Sequence, residues 1–140
     1  QVLSDFPGAG SLMHSIPEHF PQDLLKKETA VLLMNHNYAK DLAYLLVLLK
    51  SDFLYLGILG PSKRRDKLLG DILELDPQLD ISLFDKIHAP AGINLGSETP
   101  QEIALSICSE ILAVQRNEEP CFLKNKAGSI HENTCFIKTN

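Results

Sequence analysis

Ala89-Pro-Ala-Gly-Ile-Asn-Leu-Gly-Ser-Glu-Thr-Pro-Gln-Glu-Ile-Ala-Leu105 is a loop rich in glycine and proline that runs into a helix start. Thr99 stands at the N-cap, Pro100 at the first helical position and Glu102 at the third. A threonine cap with an acid three residues on is a capping box, and proline favours the first turn because its missing N–H has no partner there anyway. Gly92 and Gly96 in the preceding loop allow backbone to approach a ligand closely. A helix start presented by such a loop can hold an anion or a polar ligand.

Working outward, Thr29–Met34 and Phe53–Leu59 are short apolar runs that predict buried strands. Asn37–Lys50 predicts a helix with apolar positions on almost every face, hence largely buried. Pro61–Leu75 predicts an amphipathic helix with Leu68, Leu69, Ile72 and Leu73 as its inner stripe. Residues 80–86 predict a turn and Ile87-His88 a short strand. Pro100–Arg116 predicts a helix whose inner face is Ile103, Ala104, Ile107, Cys108, Ile111 and Leu112. Residues 1–4 predict a strand ending at Asp5, and residues 6–27, with three prolines and two glycines, a loop. Buried strands alternating with helices predict an α/β domain with a mainly parallel sheet, in which 29–35 and 53–59 are adjacent and central. Ligands of such folds sit beyond the carboxyl ends of the strands. Asn35-His36, Gly57–Ser62 and Ala89–Gly96 fall there and are expected to converge.

Composition narrows the function. One domain is expected from 140 residues, 44% of them apolar. A net charge of −5 argues against a nucleic-acid binder. The longest apolar run, Leu42–Leu49, is too short to cross a membrane. Three cysteines fit a reducing, cytoplasmic setting better than a disulfide framework, and Cys108, on the apolar helix face, is expected in the core. The histidines have no metal-ligand spacing, so no structural metal is expected. Beginning at Gln1, the chain is expected to be processed or a fragment.

Several residues admit two readings. His36 could hydrogen-bond a ligand with Asn37 beside it, or Asn35 or Asn37 could simply cap the helix while Asp41 complements its dipole. Lys63, Arg64, Arg65 and Lys67 crowd a helix N-terminus, where cations are unfavourable. They read either as a solvated patch or as charge partners of a phosphate held by amides after Gly60 and by Ser62. Glu102, Ser106 and Glu110 recur every four residues, as a cap plus surface residues or as a polar wall facing a cleft or a partner.

The stretch 89–105, with Ser106 and Glu110 after it, resembles the C-terminal domain of the XdhC/CoxI family of xanthine dehydrogenase accessory proteins. Met34-Asn-His-Asn-Tyr-Ala-Lys-Asp41, Tyr55-Leu-Gly-Ile-Leu-Gly-Pro-Ser-Lys-Arg-Arg65 and Gly128-Ser-Ile-His131 fit the same family in order and spacing. The resemblance implies a Rossmann-like three-layer domain over residues 1–131 with a tail at 132–140. It lacks the first glycine-rich strand–helix unit, and Asp5 would then take the ribose-binding acidic position. It further implies an accessory or chaperone protein rather than an enzyme, binding the molybdenum cofactor, a phosphate-bearing pterin, or a nucleotide. The expected partner is a molybdenum-hydroxylase apo-enzyme, and a homo-oligomer is expected. The cofactor-binding candidates are His36, Asn37, Gly57, Gly60, Ser62, Arg64, Arg65, Pro90, Gly92, Gly96 and Thr99. The alternatives are an NAD(P)-dependent oxidoreductase or nucleotide-sensing Rossmann domain, which the missing Gly-x-Gly-x-x-Gly turn disfavours, and a fragment serving assembly alone.

Overall fold

A computed structural model of the chain describes residues 2–126. Three strands form one sheet in the order β1 (Ala30–Leu33), β2 (Tyr55–Ile58), β3 (Ile87–His88). Both pairings are parallel, with Ala30 opposite Tyr55 and Gly57 opposite His88. Helix α1 (Tyr38–Leu48) connects the first pair and α2 (Ser62–Leu75) the second, and α3 (Pro100–Arg116) follows the sheet.

Alternation along β2 separates the layers. Leu56 and Ile58 point into the main core with Leu45, Leu48 and Leu49 from the α1 side and Leu68 and Ile72 of α2. Tyr55 and Gly57 point the other way, toward α3. Period-two side-chain alternation thus buries one strand on both faces, as a central parallel strand requires. Each large aliphatic residue sealed in this core contributes about 1.5–3 kcal/mol.

The parallel sheet and all three helices lie where the sequence puts them, but several details differ. Residues 2–5 are not a strand: Leu3–Asp5 is a 3-10 turn in which Asp5 Oδ2 accepts the Val2 amide at 2.9 Å. The polar groups of the segment close on themselves. Among the described residues β1 is an edge strand, not a central one. Leu73 of α2 is exposed, because Leu68 and Ile72 already fill the space beneath the helix. Helix α1 is only half-buried between its contact positions.

The largest difference is in α3. The side turned to the sheet carries Ser106, Ile107 and Glu110, whereas Ala104, Leu105, Cys108 and Leu112 face outward. Cys108 is a free, exposed cysteine rather than a core residue. Cys121 is disulfide-bonded, against the expectation of reduced thiols. Cys135, the tail and the Gly128–His131 motif lie outside the described residues. No helix among those described is long and apolar enough to cross a membrane.

Candidate functional site

Two consecutive arginines organise the carboxyl edge of the sheet. Arg64, in the first turn of α2, forms an ion pair with Asp41 Oδ2 and donates to the Asn35 carbonyl at 3.2 Å. Asp41 is fully buried, and its other oxygen accepts from Asn35 Nδ2 at 3.0 Å. Arg65 turns the opposite way and donates to the Ala89 carbonyl at 3.1 Å. The helix that leaves β2 is therefore stapled to the end of β1 on one side and to the end of β3 on the other. Backbone bonds complete the edge: Leu59 donates to the Leu33 carbonyl and Ala91 to the Ile58 carbonyl, each at 3.1 Å. Of the segments expected to converge, Asn35-His36, Gly57–Ser62 and Ala89–Gly96, the two arginines tie Asn35 and Ala89 to the start of α2. A buried carboxylate without a partner would be costly, and Arg64 supplies one.

The start of α2 stays open. Its N-cap is Pro61, which has no side-chain acceptor to offer, and its first turn holds no acid. The Ser62 and Lys63 amides have no intrahelical partner by helix geometry, and both residues are exposed. Gly60 precedes them at φ +133, a conformation that favours glycine. Lys67 lies over the Tyr38 ring, 4.5 Å from its centroid. Tyr38 donates to Asp71 Oδ2 at 2.7 Å, and burial with that carboxylate pushes its hydroxyl up to about 12.

The remaining candidates take other places. Asn37 caps α1, its side chain accepting from the Lys40 amide at 3.1 Å, while His36 is exposed beside it. Gly57 is buried with the Tyr55 ring lying over it, where a Cβ would meet Leu32 at 2.7 Å and the ring at 2.8 Å. It makes room for a side chain of the protein, not for a ligand. Gly92, at φ +109, lets the loop lie against α3, and its amide donates to Glu110 Oε2 at 2.7 Å. Pro90 follows a cis peptide bond from Ala89. The Thr99 capping box forms as expected. Glu102 Oε2 accepts from the Thr99 amide at 2.8 Å and the Glu98 amide at 2.9 Å, which holds its carboxyl below the usual range. The anion at that helix start is thus the protein's own. Gly96 stands in the open part of the loop at φ +67. Among the described residues no hydrogen bond or ion pair joins Thr99 to Gly60, Ser62, Arg64 or Arg65.

Two features escape a reading of the sequence. Buried Tyr55 and half-buried His88 and Glu110 form a polar cluster: the Tyr55 hydroxyl donates to Glu110 Oε2 at 2.6 Å, His88 Nδ1 lies 3.2 Å from Oε1, and the two rings stack at 4.4 Å. Burial and the carboxylate raise the Tyr55 hydroxyl. Glu110 and Ser106 are the polar wall of the four-residue repeat, but they face the 89–93 loop. Only the repeat itself signals this. The other feature is a cavity of about 400 Å³ beside β1, lined by Met13, Phe20, Leu33, Met34, Asn35 and Tyr44 among others. Residues 13–20 read as loop and give no sign that they wall a cavity.

Residues 3–111 match the family described as the XdhC Rossmann domain. The chain belongs to this family. It is 31% identical over 116 residues to an uncharacterized protein, YqeB, of Escherichia coli K12, across 80% of this chain and 20% of that one. It is 28% identical over 118 residues to a probable xanthine dehydrogenase subunit of Bacillus subtilis 168, across 79% of this chain and 31% of that one. The crystal structure of a xanthine dehydrogenase from Bacillus halodurans superposes with a TM-score of 0.66 at 28% identity, covering 84% of this chain and 32% of that one. The chain therefore spans a fifth to a third of the length of these relatives. It is an XdhC-like Rossmann domain related to xanthine dehydrogenase accessory proteins.

Proposed function

We propose that this domain is an accessory module for a xanthine-dehydrogenase-type molybdenum hydroxylase and holds the phosphate end of a pterin cofactor or nucleotide at the start of α2. The observation that carries the reading is the uncapped helix N-terminus at Ser62 and Lys63, with no acid in its first turn and with Arg64 and Arg65 tying it to the ends of β1 and β3. Its amides and partial positive charge, with the exposed Ser62 hydroxyl and Lys63 ammonium beside them, suit a phosphate. The neighbouring 400 Å³ cavity, which Asn35 and Met34 line at the end of β1, falls in the size range of small-molecule sites. The described residues hold no group of three or more His, Cys, Asp and Glu side chains able to bind a metal ion. The fit is therefore to the phosphate, and any molybdenum would keep its pterin ligands. When bound, the molybdenum carried by the pterin would supply the redox chemistry of the hydroxylase. This chain's residues bind and orient.

Arg64 and Arg65 shape the site rather than meet the ligand first, since Asp41 and the Ala89 carbonyl already engage them. Ser62→Ala with Lys63→Ala should lower affinity for a phosphate-bearing pterin or nucleotide at least about tenfold and leave the melting temperature unchanged, because a hydrogen bond to a charged group is worth about 1.5–3 kcal/mol. Arg64→Ala with Arg65→Ala should lower affinity and melting temperature together. Calorimetric titration with parallel thermal melts checks both, and equal affinities for parent and Ser62/Lys63 variant would remove the phosphate site.

A further inference from the structure

We infer that Asp41 is the counter-charge that sets the affinity of the phosphate site at the start of α2: it positions Arg64 and, by cancelling its charge, keeps a bound phosphate releasable. The inference rests on the phosphate reading above and concerns the regulation of that site.

Four cations, Lys63, Arg64, Arg65 and Lys67, crowd the first turns of α2. Three of them are engaged, each differently. Arg65 meets Asp66 at 2.8 Å, but the two side chains are 39% and 63% exposed, so water and salt weaken the pair. Lys67 lies over the Tyr38 ring. Arg64 takes its carboxylate from another helix, and that carboxylate is sealed, the Asp41 side chain being 1% exposed. A charge so placed is screened far less than a surface charge.

The pair orients Arg64 as well as neutralising it. Both of its side-chain bonds, to Asp41 Oδ2 and to the Asn35 carbonyl, leave from Nη2. Asn35 Nδ2 closes on the other Asp41 oxygen at 3.0 Å. The Arg64 chain runs back across Gly60, where a Cβ would stand 3.0 Å from Arg64 Cδ. The guanidinium therefore lies beside the turn that delivers the Ser62 and Lys63 amides, with Asp41 directly behind it. A buried ion pair is weak support for stability, because desolvating both charges offsets most of their attraction. What this one does supply is a fixed negative charge within the screening length, about 10 Å at 0.1 M salt, of an anion on those amides. The amides and Lys63 attract a phosphate while the net charge of Arg64 is withheld. A module that passes its ligand on needs such a ceiling on affinity.

Calorimetric titration of the purified chain with inorganic phosphate, at several salt concentrations and with parallel thermal melts, tests this. Asp41→Asn removes the charge and keeps the shape, since the amide oxygen can still accept from Arg64 and Asn35 can turn its own amide to match. It should bind phosphate about tenfold more tightly than the parent and with a steeper salt dependence, although it melts lower. Arg64→Gln leaves the Asp41 charge uncompensated and should bind about tenfold more weakly, while the double variant should come back to within about threefold of the parent. A purely structural role predicts the reverse: weaker binding by Asp41→Asn and the weakest by the double variant. A parent that binds phosphate, with Asp41→Asn no tighter, would overturn the inference and leave the phosphate reading standing. A parent that binds no phosphate would remove both. If Asp41→Asn does not fold, a double variant no tighter than Arg64→Gln is the overturning result.

Discussion

Glu110 shows how one carboxylate can fix the approach of a loop and a helix. It accepts from the Tyr55 hydroxyl and the Gly92 amide at once, and both donors lose water when α3 docks. Glu110→Ala should cost about 2–4 kcal/mol, the penalty of stranding two buried donors, read as a lower urea midpoint at constant slope. Gly92→Ala adds a side chain at φ +109, where a Cβ would run into the Ser106 hydroxyl. It should cost about 2–4 kcal/mol through backbone strain and overpacking, on the same assay. Tyr38 gives a pH signature. Its folded hydroxyl titrates at about 12 against 10.0 unfolded, so it favours the folded state up to pH 10 and that contribution disappears as pH rises to 12. Ultraviolet titration should find one tyrosine ionising late near pH 12, and Tyr38 should leave that set in Tyr38→Phe. Tyr55 should resist longer still. At the acid end the sign reverses for Glu102, whose carboxyl is held low by the Thr99 and Glu98 amides. Its cap is present at neutral pH and is lost as pH falls.

At the scale of elements, α1 and α2 are joined through Asp41 and Arg64 at the sheet edge and through Tyr38 and Asp71 along their length. Asp41→Ala should destabilise by about 3 kcal/mol, because it leaves a guanidinium in a largely buried setting without its charge. The loss would appear in chemical denaturation as an earlier transition. The elements themselves are legible because their signals are local: apolar runs of strand length, a proline and a capping box, a leucine stripe. The orientation of α3 is not. Its apolar residues at helical spacing look like a core face, yet the sheet takes Ser106, Ile107 and Glu110 instead. Periodicity finds that a helix has an apolar face but cannot say which partner covers it. Gly57 misleads for a related reason. A glycine at a strand end reads as room for a ligand, and only the tertiary register reveals that Tyr55, two residues away, has taken the space.

Over the whole molecule, the parallel sheet fixes which loops can meet, so the carboxyl-edge site is legible as a region before any contact is known. The roles within it are not, since a sequence of cations does not show that Asp41 and the Ala89 carbonyl claim two of them. The sheet also orders the chain in time. Among the described residues β1, β2 and β3 are neighbours in space in the same order as in sequence, so each pairing closes over one local helical connection and none of these strands must wait for a distant one. Such nested closures keep the entropic cost of each step low. A polypeptide emerging from the ribosome could complete β1, α1 and β2 while α3 was still being made. Pulse-labelled hydrogen exchange should then protect the amides of Leu56 and Ile58 before those of Ile107 and Glu110, and α3, whose inner face depends on Gly92 and His88 being in place, should be the last part of the domain to settle.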